Sequence, residues 1–173
     1  MKKATKQLTN LFLRYLIIFL AGLGNLFIFY KTLTPITAQT LKLILNLFTH
    51  TTLTQNILIL PNLSIELIPA CIAGSAFYLL LILNLSTPDI KLKKRIKILA
   101  ITFISLFVLN ILRIILLVSI AQTSYFQSLH ELFWYVISTI FVIAIWIFTV
   151  NKLKIRKIPV YDDFKFLYRF VKK

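Results

Sequence analysis

The chain has 173 residues, of which 59% are hydrophobic, and its 20 Lys and Arg stand against 5 Asp and Glu for a net charge of +15. A mean hydropathy of +0.88 with so few acidic residues is a membrane-protein composition and excludes an ordinary soluble domain. The positive charge clusters beside apolar segments, where it orients a membrane protein and meets anionic headgroups, so nucleic-acid binding is not expected and membrane lipids are.

In chain order, Lys2, Lys3, Lys6 and Arg14 lead into a first apolar stretch, Leu11 to Tyr30. No clean small-residue cleavage site follows it, so it reads as a retained signal-anchor helix. Ile36 to Phe48 is apolar but interrupted by Lys42 and Asn46. The spacing of Ile36, Leu41, Ile44, Leu45 and Phe48 predicts an amphipathic helix at the membrane interface. The pattern then changes. Ile57–Leu60 and Leu63–Ile68 flank the dipeptide Pro61-Asn62, which predicts a small β-hairpin outside the membrane.

A second span is expected over about 70–86, a third over 98–121 and a fourth over 130–150. Between the second and third lies a basic loop with Lys91, Lys93, Lys94, Arg95 and Lys97, and Gln122 to Leu129 reads as a polar link. With both termini cytoplasmic, four spans bring three basic clusters to the cytoplasmic side: the N-terminal one, the Lys91–Lys97 loop and the tail with Lys152, Lys154, Arg156 and Lys157. The ending Asp162 to Lys173 places Phe164, Leu167, Phe170 and Val171 on one helical face behind an acidic pair, and predicts an interfacial C-terminal helix. The expected fold is thus an all-α multi-pass membrane protein. It has one domain over 1–173, about four transmembrane helices, an extracytoplasmic β-hairpin-like insert and an interfacial C-terminal helix.

Arg113 lies inside the third apolar segment. A guanidinium within a bilayer costs a few kcal/mol at minimum and usually faces a protein interior or a watery cavity. On this topology Cys71 starts the second span, His130 starts the fourth, and Arg113 sits within snorkelling distance of the same outer level. A thiol becomes a strong nucleophile as thiolate, a histidine can take its proton, and a cation stabilises the resulting charge. Arg113 suits that role or stabilisation of an oxyanion. A helix start at Cys71 would favour negative charge as well. Asn110 stands one turn before Arg113, suited to orienting it or to donating to the same oxyanion. Ser75 and Tyr78 continue the Cys71 face, and Trp134 follows His130 by one turn. Glu131 reads as a helix cap, and Glu66 as a solvated hairpin residue open to substrate contact. Each of these residues also has a bland reading: a lone cysteine in an apolar helix is usually a small buried hydrophobe.

The single cysteine excludes an internal disulfide and a paired-thiol oxidoreductase, and no zinc-type cluster or HExxH motif is present, so no metal or cofactor is expected.

The segments Pro69-Ala70-Cys71-Ile72-Ala73-Gly74-Ser75, Asn110-Ile111-Leu112-Arg113 and His130 together resemble the exosortase/archaeosortase family of membrane-embedded transpeptidases. The likeness covers roughly 57–147 and is to a compact archaeal-type member. Ile72 and Ala73 depart from the Ser or Thr and the Gly or Ala that many members carry there. The resemblance implies a sortase-like cysteine protease or transpeptidase in the cell membrane. Cys71 would be the nucleophile, His130 the general base and acid, and Arg113 the electrostatic partner. Its substrates would be the C-terminal sorting-signal segments of secreted surface proteins, processed near the extracytoplasmic face and passed through a thioester to an amine or lipid acceptor. The competing reading is a non-catalytic membrane subunit or assembly factor in which Arg113 pairs with an acid on a partner helix.

Overall fold

The computed structural model of the protein describes residues 2–172, with side chains for 5–170 and 172. Helix α1 runs Lys2–Leu45 and is sharply kinked. At the kink Leu23 is extended and Gly24, Asn25 and Leu26 have left-handed backbone angles. Gly24 adopts them freely and Asn25 tolerates them, whereas Leu26, at φ 61, is strained there. The expected first span over 11–30 is therefore one part of a longer bent helix. The segment from Ile36 is its continuation, not a separate interfacial helix, because Ala38, Leu41 and Leu45 bury themselves in a core.

Three short strands follow: β1 (Thr52–Thr54), β2 (Ile57–Leu60) and β3 (Leu63–Glu66), antiparallel in the order β1-β2-β3. The expected hairpin around Pro61-Asn62 is present, with Leu60 opposite Leu63. The added strand β1, Thr-Leu-Thr, is too short to show a sequence period, and its register against β2 supplies the missing signal.

The expected second span is broken and shortened. Pro69–Ile72 forms one helical turn, α2, with proline at a position where its missing N–H is harmless. Ala73 is left-handed at φ 58, and α3 then runs Gly74–Leu85. Twelve residues reach about 18 Å, short of the ~30 Å hydrocarbon layer. Helix α4 is Leu92–Ser119, starting a full turn and a half earlier than expected, inside the basic cluster. Helix α5 (Phe126–Leu132), a π-helical turn over Phe133–Ile137, and α6 (Ser138–Lys152) form one continuous rod. Part of the expected polar link is thus helical, and His130 lies inside a helix instead of opening it. Helix α7 is Tyr161–Val171 with Asp162 and Asp163 in its first turn, close to the expected C-terminal helix; Lys173 lies outside the described residues.

Among the described residues three helical rods are long and apolar enough to cross a membrane: Thr5–Leu45, Leu92–Ser119 and Phe126–Lys152. Their outward faces carry exposed Leu13, Ile17, Ile104, Val108, Ile143 and Ile147, as a lipid-facing surface requires. Inside, Phe29, Phe77, Leu80, Leu106, Val142 and Ile145 form one apolar core. A second core joins the end of α1 to the sheet, α2 and α4 through Leu41, Leu58, Leu67, Ile72, Ile111 and Ile114. Cys71 packs against this second core.

At the other end of the bundle, buried Arg14 pairs with Asp163 at 2.7 Å and donates to the Leu85 carbonyl at 2.7 Å. Asp163 is therefore more than a helix-start acid: it docks α7 onto α1. Arg95 donates to the Asn84 and Thr87 carbonyls there.

Candidate active site

The site is assembled around the break between α2 and α3. In an unbroken helix the Ala70 and Cys71 carbonyls would accept bonds from the next turn. Left-handed Ala73 ends that ladder, and α3 restarts with Ala76 and Phe77 N–H groups on the Ala73 carbonyl. The Ala70 and Cys71 carbonyls are then orphans that need side-chain donors. Asn110 Nδ2 donates to the Cys71 carbonyl at 2.8 Å. Arg113 Nη2 donates to Ala70 at 2.9 Å and to Cys71 at 3.3 Å. The N-x-x-R pair of α4 thus caps the turn that carries the cysteine. Gly74 lets this break pack tightly, since a Cβ there would meet the Tyr30 ring at 2.7 Å.

Arg113 is inward-facing, 6% exposed beside Leu112 at 57%. Its Nη1 donates to Ser138 Oγ at 2.8 Å, and Ser138 in turn donates to the Phe133 carbonyl at 2.7 Å, five residues back. That second bond sits at the π-helical turn, a type of irregularity that often marks functional sites. Nε of Arg113 is buried without a partner. No carboxylate among the described residues pairs with the guanidinium.

Cys71, Arg113 and His130 line one cavity of about 350 Å³. Its walls are β3, Ile68 and Cys71 of the approach to α3, Ile114 and Leu117 of α4, and Phe126 and His130 of α5. Residues from three elements, Cys71, Arg113 and His130, therefore border a common space. The His130 ring stacks on Phe126 with centroids 5.7 Å apart, which holds its plane. Cys71 is half-buried, and its N–H donates to the Ile68 carbonyl at 2.9 Å. It stands on a one-turn helix before a break, so the expected dipole stabilisation from a long helix is lost.

The other expected site residues separate. Asn110 acts on the Cys71 carbonyl and not on a free oxyanion position. Ser75 and Trp134 line a neighbouring cavity of about 350 Å³, which Arg113 and Ser138 also border. Tyr78 does not belong to the site: its hydroxyl donates to the Ile18 carbonyl at 3.0 Å, on α1. The break at Ala73 rotates α3 relative to α2, so the continuous helical face assumed for Cys71, Ser75 and Tyr78 does not exist. Glu131 accepts from Gln127 at 2.7 Å within its own helix and caps nothing. Glu66 lines the Cys71 cavity. Ser138 escaped the sequence reading; a hydroxyl two turns beyond His130, with Thr139 beside it, was its only signal.

No protein-family model matches the chain, and no curated protein or solved structure matches it. Among the described residues no cluster of His, Cys, Asp and Glu has the arrangement to hold a metal ion.

Proposed function

We propose that the protein is a membrane-embedded cysteine peptidase or transpeptidase of the exosortase/archaeosortase kind. It would cleave the C-terminal sorting signal of secreted surface proteins at the extracytoplasmic face, with both termini in the cytoplasm. The observation that carries this reading is that Cys71, Arg113 and His130, from three different elements, line one cavity.

In the proposed reaction His130 takes the Cys71 proton, and sulfur attacks the substrate's peptide carbonyl. The tetrahedral intermediate collapses with cleavage of the C–N bond, and His130 returns the proton to the leaving amine. A thioester on Cys71 remains. An acceptor amine, or a lipid nucleophile, attacks it and releases the protein in anchored form while the thiol is restored. Arg113 is a positioning residue that holds the nucleophile's turn through two carbonyls. Because no carboxylate among the described residues pairs with it, its charge also favours the thiolate and the developing oxyanion. Ile65, Ile114, Leu117 and Phe126 supply apolar wall around the cavity, and a substrate seated against it would limit water's access to the thioester and favour transfer over hydrolysis.

Co-expression with a secreted protein bearing a C-terminal span and basic end, followed by mass spectrometry of the purified chain, tests this directly. The expected result is a hydroxylamine-labile acyl fragment on Cys71, absent from Cys71→Ala. Continued processing by Cys71→Ala would sink the proposal.

A further inference from the structure

Among the described residues the sheet ends at β3, because β2 covers one of its sides and no strand covers the other. Four consecutive residues, Leu63, Ser64, Ile65 and Glu66, all line the Cys71 cavity. Side chains alternate between the two faces of a strand, so a wall made by neighbours of both parities is the strand's edge. The register identifies the polar groups on that edge. Leu60 and Leu63 close the hairpin, and the Leu67 N–H donates to the Asn56 carbonyl at 2.9 Å. Bonded and non-bonded pairs alternate in an antiparallel ladder, so residues 63, 65 and 67 exchange bonds with the β2 side. Ser64 and Glu66 therefore direct their N–H and C=O groups away from β2. The Glu66 carbonyl is already engaged by the Ile68 N–H at 3.2 Å. Both backbone groups of Ser64 and the N–H of Glu66 remain available. Exposed edges of this kind are usually blunted or covered because they recruit other strands; here the edge faces a cavity. Glu66 is exposed and is the one carboxylate among the residues lining that cavity.

We infer that β3 takes an extended peptide as a fourth antiparallel or parallel strand, paired on Ser64 and Glu66, with a Lys or Arg side chain set against Glu66. The peptide backbone then passes beside Cys71 at ordinary strand spacing, about 4.8 Å from β3. This names how the substrate is held, and it rests on the reading of Cys71 as nucleophile.

The test uses the full chain in proteoliposomes and three tetrapeptidyl chloromethyl ketones. One contains a lysine, one is the same peptide with methylated backbone nitrogens, and one has glutamate for the lysine. The Cys71 sulfur displaces chloride and forms a C–S bond, read by mass spectrometry. Iodoacetamide, which needs no strand pairing, is the reference reagent. The lysine peptide is expected to label Cys71 about tenfold faster than either analogue, as loss of a few hydrogen bonds or a charge pair implies. Ser64→Pro removes the outward N–H that would donate to a peptide carbonyl and that β2 does not use, and should slow labelling by the lysine peptide relative to iodoacetamide. Glu66→Gln should erase the advantage over the glutamate peptide. Equal labelling by the lysine and methylated peptides, with iodoacetamide still reacting at Cys71, overturns strand pairing and leaves the nucleophile reading intact. Equal labelling by the lysine and glutamate peptides overturns the charge preference. Failure of iodoacetamide to label Cys71 overturns the nucleophile reading and this one with it. The peptide comparison is made on the wild-type chain, so it decides even where Ser64→Pro does not insert.

Discussion

The protein buries arginines at both ends of its bundle and treats them differently. At the α7 end, Arg14 and Arg95 cap carbonyls at and just past the end of α3, Leu85 for one and Asn84 and Thr87 for the other. At the sheet end, Arg113 caps the carbonyls of Ala70 and Cys71. The device is the same: a planar cation satisfies acceptors left over where a helix stops. The difference lies in the counter-charge. Arg14 faces Asp163, with Tyr15 also donating to that carboxylate at 3.3 Å, whereas Arg113 meets only carbonyls and a hydroxyl. At the α7 end Arg14 is neutralised and clamped, while Arg95 beside it meets only carbonyl oxygens. At the sheet end no carboxylate among the described residues pairs with Arg113, which borders a cavity that Cys71, His130 and the exposed Glu66 also line. A stability device at Arg14 and a candidate catalytic device at Arg113 thus differ in whether a carboxylate pairs with the cation.

The sharpest way to break this contrast is at Cys71. Cys71→Ala should abolish processing, by at least about 1,000-fold, while the protein inserts at wild-type abundance, because removing one sulfur from a half-buried site changes packing little. Processing assays with quantitative immunoblotting of the membrane fraction check both halves. Asp163→Ala addresses the opposite end. It leaves Arg14 buried and unpaired, and should cost about 3–5 kcal/mol of stability. Thermal unfolding in detergent and protease sensitivity of α7 measure the loss, while iodoacetamide labelling of Cys71 should not change.

Arg113→Lys keeps the charge but removes the planar fork that joins Ser138, Ala70 and Cys71. A nucleophile turn held loosely by a point charge should cost about 100-fold in processing rate. Retention of full activity would mean that charge alone matters and that the positioning role is absent. Ser138→Ala removes one acceptor from Arg113 and one donor to Phe133, and should slow processing by roughly fivefold, worth about 1 kcal/mol. A readout specific to position is the rate of iodoacetamide labelling at Cys71, which a purely global loss of stability would not alter at low temperature.

The legible parts of the fold were those carried by local pattern. Long apolar runs announced α4 and the α5–α6 rod, and Pro61-Asn62 between apolar tetrapeptides announced the hairpin. What misled was continuity. Pro69 to Leu85 reads as one apolar helix, but Ala73 takes a left-handed conformation that no local signal demands of alanine. Its cost, on the order of 1–2 kcal/mol, is offset by the capping bonds from Asn110 and Arg113, residues distant in sequence. The same break moved Tyr78 out of the site and shortened α3 below the length of a span.

By itself the amino-acid sequence determined the membrane-like composition, the inward pressure on Arg113, and the residue types capable of nucleophilic chemistry, because desolvation cost and side-chain chemistry are local properties. Only the tertiary structure decided that Asn110 and Arg113 converge on the Cys71 carbonyl, that Ser138 joins them, and that β3 offers its free edge to the same cavity. Those outcomes depend on which orphaned backbone groups end up facing which donors, a matter of three-dimensional bookkeeping that no single segment contains.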